Sequence, residues 1–202
     1  LWKKMGEMGL LGLSIPEEYG GQGASCLMTT VAHEAFAEGS CDGGLTLALG
    51  AHAIIGTMPI VFCGTEAQKR KYLPKLATGE MIAAYCLTEA GAGSDAAAIK
   101  TKAVKDGNDW ILNGEKIWIT NGGIAQFFTV FAQTDTPEGK MTAFIVTRDM
   151  KGVSTGPHED KMGIRASSTV TVHFDNVRVP ANHVLGEVGK GFKVAVKILN
   201  NG

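Results

Sequence analysis

Two stretches hold the residues best placed to do chemistry, YCLTEAGAGSD at 85–95 and NGEKIWITNGG at 113–123. In the first, an apolar run over residues 81–87 breaks into Glu89-Ala90-Gly91-Ala92-Gly93-Ser94-Asp95. A strand that opens into a Gly-rich loop exposes backbone N–H groups, and Gly91 and Gly93 let a ligand come close to the backbone. In the second, Trp110-Ile111-Leu112 and residues 115–120 flank Asn113-Gly114, which predicts a hairpin with an Asn-Gly turn. On the returning strand Trp118 and Thr120 are two apart, so both side chains leave the same face. A broad aromatic plane beside a hydroxyl suits a flat heteroaromatic ring with polar edges. An ordinary hairpin with a core Trp118 and a surface Thr120 accounts for the same spacing, and short motifs alone do not decide between them.

Other chemistries find less support. Gly91-Ala92-Gly93-Ser94 is not a G-x-x-x-x-G-K-[ST] loop, so nucleoside triphosphate hydrolysis is unsupported. Nor is it a Rossmann fingerprint, because no helix and acidic residue follow in βαβ order. Ser94, Ser167 and Ser168 have no histidine at a recognisable local spacing, although a triad can assemble across a sequence. His33, His52, His158, His173 and His183 are scattered, and no metal site is expected. Cys26, Cys41, Cys63 and Cys86 form no C-x-x-C pair and read as free thiols of a reducing compartment. What remains is a cofactor cradle, in which the cofactor carries the hard chemistry and the protein orients it.

The elements that would position this cradle change type once along the chain. The 202 residues are 45% hydrophobic, enough for one sizeable core or two small ones. The formal net charge of −1 gives no reason to expect a nucleic-acid partner. Residues 2–11 read as an amphipathic helix. Leu27, Met28, Val31, Ala32, Ala35 and Phe36 mark the apolar face of a second, leaving His33 and Glu34 on its wet side. Residues 45–63 carry no Lys, Arg, Asp or Glu and could just span a bilayer. Gly50, His52, Gly56 and Pro59 argue instead for a buried core helix interrupted near 56–59. Thr65-x-x-Gln68 is a capping box for a helix ending near Pro74. After Gly79 the pattern becomes strands at 81–87, 101–104, 110–112, 116–120, 127–132, 143–147 and 169–177. Turn signals at 106–108, 113–114, 136–139 and 175–176 separate them. Residues 127–132 are apolar on both faces and read as a central strand. Phe192, Ala195, Val196 and Leu199 then start an apolar helical stripe that stops at 201, which predicts a continuation. No signal peptide and no initiator Met are present at the start. The fold class expected is α+β: a helical domain at 1–79, a β-barrel or sandwich-like domain at 80–186, and the start of a further helical domain at 187–202.

YCLTEAGAGSD followed by NGEKIWITNGG resembles the paired flavin-binding signature of the acyl-CoA dehydrogenase family. The similarity extends to GLSIPEEYGG at 12–21, GTEAQKRKYLP at 64–74 and KMGIRAS at 161–167, while VLGEVGKGFKVA at 184–195 is similar to the very-long-chain branch. The resemblance implies FAD as cofactor and acyl-CoA as substrate, desaturated between its α and β carbons. An electron-transferring flavoprotein would be the acceptor. It further implies that Tyr85, Leu87 and Thr88 meet the flavin pyrimidine edge, mainly through backbone groups and the Thr88 hydroxyl. Gly93 and Ser94 would sit by the diphosphate, Ser94 also near the CoA chain; Trp118 would flank the ring and Thr120 would bond near its reactive nitrogen. The family's catalytic glutamate lies in the C-terminal helical domain, so no catalytic residue is expected in this chain, and Glu89 and Glu115 do not match it. The segment alone is expected to be inactive and the full-length protein a homo-oligomer, cytoplasmic in a bacterium or on the mitochondrial matrix side in a eukaryote. Roles for Arg165, Ser167 and Ser168 do not follow. An acyl-CoA oxidase, or a redox-inactive binding module of the same fold, are the competing readings.

Overall fold

The computed structural model describes residues 1–137 and 139–200. Helices come first: α1 (Trp2–Glu7), α2 (Cys26–Ser40), α3 (Gly43–Gly50), α4 (Met58–Cys63) and α5 (Glu66–Ala77). Eight strands follow: β1 (Ala83–Cys86), β2 (Lys102–Asp106), β3 (Asp109–Thr120), β4 (Phe127–Thr136), β5 (Gly139–Thr147), β6 (Val153–His158), β7 (Thr169–Val179) and β8 (Val184–Leu185). Helix α6 (Gly191–Leu199) ends the described chain. The expected order of helical domain, β-domain and closing helix is what forms. Glu138, in the expected 136–139 turn, and Asn201, at the end of the apolar stripe, lie outside the described residues.

The strands make one sheet in the order β6-β7-β3-β2-β4-β5-β8, with β1 pairing parallel to β4. Strand β4 is central, as its two apolar faces require. Phe127 and Phe131 point into the core shared with the helices, while Phe128, Val130 and Ala132 join a second core that also receives residues of β3 and β7. Burying a Phe contributes about 1.5–3 kcal/mol, so a strand with three fully buried Phe side chains anchors both layers.

Between α3 and α4 the helix widens into a π-helical turn, Ala51–Gly56. The 21-residue run Gly43–Cys63 is apolar enough to cross a membrane, yet 56% of its most apolar stretch is buried inside the protein. The expected interruption is real. Pro59 sits in the first turn of α4, where its missing N–H costs nothing. Wholly buried His52 fastens the π-turn: its Nδ1 accepts from the Ala83 N–H at 3.0 Å and its Nε2 lies 3.1 Å from the Leu76 carbonyl. The Ala83 donor fixes the tautomer, with hydrogen on Nε2. The capping box of α5 forms as expected, and Gln68 also donates to the Asn182 and Val184 carbonyls, tying α5 to the β-domain.

Several local expectations are overturned. Asn113-Gly114 is not a turn, because β3 runs unbroken from Asp109 to Thr120. Asp175-Asn176 is likewise inside β7. The two sites face each other as a bulge, with Asn113 Oδ1 accepting from the Asn176 N–H at 2.8 Å. Gly114 is required there, since a Cβ would come within 2.7 Å of the Thr101 Cα. The real hairpin turn is Gly107-Asn108, between β2 and β3. Helix α5 passes through Pro74 to Ala77. In α2 the start of the expected apolar stripe faces outward: Leu27, Met28 and Val31 are exposed, although Phe36 further along packs against the core of Met5, Leu11 and Leu49, while Thr29 is buried against Ser14 (3.1 Å) and His33 Nε2 is buried. The polar Ser14–Thr29 contact sets the helix rotation against its hydrophobic pattern. Strand β6, unpredicted because Val153-Ser154-Thr155-Gly156-Pro157-His158 shows no alternation, is an edge strand, where Pro157 is tolerated.

Burial pushes His52 down to about 4, opposed only in part by the bond to Leu76. The folded form therefore favours the neutral ring. As pH falls below the ordinary value of 6.5, the unfolded chain takes up a proton that the folded chain refuses. Stability should fall by up to about 3 kcal/mol between pH 6.5 and 4. His33 and His183, also pushed down by burial, act in the same direction. Urea denaturation at pH 7 and pH 5 should show a clear loss in the wild type and a smaller one in His52→Asn; equal slopes would refute the assignment.

Candidate functional site

Strand β1 delivers Tyr85 on its side chain and Leu87 and Thr88 just past its end. The loop that follows supplies Gly93, Ser94 and Ala96, and β3 ends in Trp118, Ile119 and Thr120. These residues, with Ile55 from the π-turn and Leu199 from α6, line one cleft of about 360 Å³. That volume is within the range of small-molecule sites. All seven residues singled out in the sequence, Tyr85, Leu87, Thr88, Gly93, Ser94, Trp118 and Thr120, are there. Ile55, Ala96, Ile119 and Leu199 were not singled out. Ile55 and Leu199 come from elements that only tertiary packing brings alongside.

Trp118 is the unusual member. Its backbone is left-handed, φ 55°, and its side chain is 65% exposed. A bulky residue in that region is strained by about 1–2 kcal/mol. The register of β3 against β7 slips between Lys116 and Ile119, so inward Trp110, Leu112 and Lys116 are followed by inward Ile119 rather than by Trp118. The bulge turns the indole out of the core and into the cleft. Trp118 and Thr120 do share the cleft, through a bulge and not through plain alternation. A core tryptophan is excluded.

Two further observations fit a flat, polar-edged ligand. The Tyr85 hydroxyl is buried without a hydrogen-bond partner, the one such orphan among the described side chains lining this cleft. Burial pushes its phenol up, so it stays a neutral donor. At Gly93 an added Cβ would meet nothing within 4 Å, so the chain leaves open space at a residue that lines the cleft. Of the two motif glutamates, Glu115 pairs with His173 at 3.0 Å on the surface. Glu89 is turned away from the cleft into a buried ion pair with Lys116, at 2.7 Å.

Comparison with known proteins gives this geometry a context. The family model "Acyl-CoA dehydrogenase, N-terminal domain" matches residues 1–80, and "Acyl-CoA dehydrogenase, middle domain" matches residues 84–177. The chain belongs to the acyl-CoA dehydrogenase family. It is 55% identical to the bovine mitochondrial very long-chain specific acyl-CoA dehydrogenase, over 97% of this chain and 31% of that protein. It is 52% identical to a probable acyl-CoA dehydrogenase of Bacillus subtilis, over 100% of this chain and 34% of that one. A crystal structure of a Bacillus anthracis acyl-CoA dehydrogenase complexed with FAD superposes with a TM-score of 0.94 at 49% identity, covering 100% of this chain and 35% of that one. The chain thus spans about a third of the length of these relatives.

Within this family fold, the signal that could have exposed Lys116 is its phase. It shares the inward positions of Trp110 and Leu112 on β3, and a lysine there must find a buried partner. For Trp118, exposure and strain make opposite predictions from a core residue. Trp118→Gly should leave the unfolding free energy unchanged or raise it by up to about 1 kcal/mol. A loss near the 3–5 kcal/mol typical of core aromatic truncation in chemical denaturation would contradict the cleft placement.

Proposed function

We propose that this chain is the helical and β-domain part, at 1–79 and 80–186, of an FAD-dependent acyl-CoA dehydrogenase. The reaction is α,β-desaturation of acyl-CoA thioesters, with a lean toward long chains supported by the very-long-chain relatives. The single observation that carries the reading is the convergence of both signature stretches on one cleft that holds a strained, outward Trp118 and an orphan Tyr85 hydroxyl.

The cleft residues suit a flavin. Trp118 offers an aromatic face, and the hydroxyls of Thr88 and Thr120 offer polar contacts to a ring edge. Thr88 is steadied by the Ile117 N–H, which donates to its carbonyl at 3.0 Å. Tyr85 adds a hydroxyl donor to the backbone contacts expected of it, and Gly93 and Ser94 leave room for a diphosphate. When bound, FAD supplies the two-electron acceptor for the β-hydride, while the α-proton goes to a carboxylate, giving the enoyl-CoA. Among the described residues no carboxylate lines the cleft, so the reading takes the general base from outside residues 1–202. An electron-transferring flavoprotein would be the acceptor of the electrons. Helix α6 begins a further helical domain, and the full-length protein is a homo-oligomer.

The whole protein carrying this chain should purify with a flavin absorption spectrum that bleaches anaerobically on adding a long-chain acyl-CoA. Thr120→Ala removes a donor that matters more as negative charge builds on the reduced ring. The bond is worth about 0.5–1.5 kcal/mol, so the reduction potential should move about 10–30 mV more negative for a two-electron couple. An unchanged potential in a folded, flavin-loaded variant would remove Thr120 from the site.

A further inference from the structure

The wall of the cleft formed by Leu87, Thr88, Gly93, Ser94 and Ala96 belongs to a loop with little regular structure of its own. Only a Glu89–Ala92 bridge and one 3-10 turn, Ala96–Ala98, interrupt it. Two charges buried behind the cleft hold the loop. Lys116, fully buried on β3, donates to the Leu87 carbonyl at 3.1 Å and to Glu89 Oε1 at 2.7 Å. The Glu89 carboxylate in turn accepts the backbone N–H groups of Lys100 and Thr101. The start of the loop is thereby fastened to its end, eleven or twelve residues on. The same lysine is next to Ile117, whose N–H donates to the Thr88 carbonyl, and directly precedes the bulge that turns Trp118 outward.

We infer that Lys116 and Glu89 are positioning residues that set the spacing between the loop wall and the Trp118 wall, and so decide how tightly the flavin is retained. The inference rests on the flavin reading of the cleft. Neither residue touches the cleft, so they act through the groups they hold. The pair is costly to break from one side only. A single Lys116→Met leaves Glu89 buried without its cation, whereas replacing both charges removes the orphan. The backbone N–H groups of Lys100 and Thr101 then lose their charged acceptor, and the loop loses the strongest bonds across its base.

The test uses the whole protein, with FAD itself as the probe. Wild type, Lys116→Arg and the double variant Lys116→Met with Glu89→Gln are stripped of flavin and titrated with FAD. The double variant should melt cooperatively but bind FAD about tenfold more weakly or worse, with a shifted flavin absorption band. Lys116→Arg, which keeps the charge and the donors, should recover most of the affinity. A folded double variant with unchanged affinity and spectrum would overturn the inference. Amide exchange of the flavin-free wild type provides a check that needs no variant to fold. The Lys100 and Thr101 amides should exchange slowly and Gly91 and Gly93 rapidly, and fast exchange at Lys100 and Thr101 would overturn the inference as well. Should the wild type bind no FAD while those two amides are protected, the flavin reading fails but the clamp stands as a structural fact, and the retention role is overturned with that reading.

Discussion

The cleft exists because one imidazole joins three elements that the chain could otherwise place independently. His52 takes the N–H of Ala83, the first residue of β1, and lies in contact with the carbonyl of Leu76 near the end of α5, from inside the π-turn. A buried ring with both nitrogens engaged cannot slide without leaving a polar group unpaired, which costs about 1–3 kcal/mol. This fixes the height of the π-turn against β1. Ile55, three residues further along that turn, then faces the same space as Tyr85. Asn121 repeats the arrangement from the β side, donating to the Ala48 carbonyl of α3 at 2.9 Å from a left-handed backbone. The two domains are thus locked by polar bonds at their centre and by Gln68 at their rim. Extra backbone width in a π-turn gives the ring room to reach both partners, consistent with π-bulges recurring near functional sites.

Much of this fold was legible because its strongest signals are local and agree with one another. The capping box at Thr65 and Gln68 forms as read. The two-faced apolar strand lies in the middle of the sheet, and the alternation of Val170, Val172 and Phe174 against Thr171 and His173 fixes the inner face of β7. What misled was the turn chemistry. Asn113-Gly114 and Asp175-Asn176 carry the composition of hairpin turns, but each lies inside a strand long enough to continue, and pairing across the sheet outweighs the local preference. A single bulge, with Asn113 opposite Asp175 and Asn176, lets both strands keep their ladders, so the same residues produce a kink instead of a reversal. The rotation of α2 was lost for a related reason. One buried hydroxyl pair, Ser14 with Thr29, competes with an apolar stripe that the described residues leave largely uncovered.

That the seven residues would gather in one cleft was legible in the sequence, and the shape of that cleft was not. Spacing placed Trp118 and Thr120 on a common face by strict alternation, yet alternation in β3 changes phase just before Trp118. Nothing in the letters Lys116-Ile117-Trp118-Ile119 announces a left-handed residue, because the strain is imposed by the strands on either side. The Lys116 side chain is held at Leu87 and Glu89, and Ile119 is wedged in the core opposite Val170. Between two such fixed points the intervening residues must absorb the extra length, and the indole is expelled. A strained residue that persists is one whose neighbours over-determine it.

Among the described residues the cleft lining carries no charge: its side chains are apolar, aromatic or hydroxyl-bearing, and Lys116 and Glu89 neutralise each other behind the wall. Burial by itself would push Glu89 up, but the hydrogen bonds from Lys116, from Thr101 and from the Lys100 N–H outweigh it and hold the carboxyl below the usual range. It therefore stays ionised and stays paired. A lining of dipoles has a consequence for the proposed flavin. A fixed charge beside the ring would favour one redox state outright and hold it there. Hydroxyl and backbone donors instead stabilise developing negative charge by amounts comparable to ordinary hydrogen bonds, with little reorganisation. Because those bonds are modest, the balance between oxidised and reduced ring can be tuned by single hydroxyls. Sequestering the buried Lys116–Glu89 pair behind the wall lets it act on the shape of the site without dictating the charge of what the site holds.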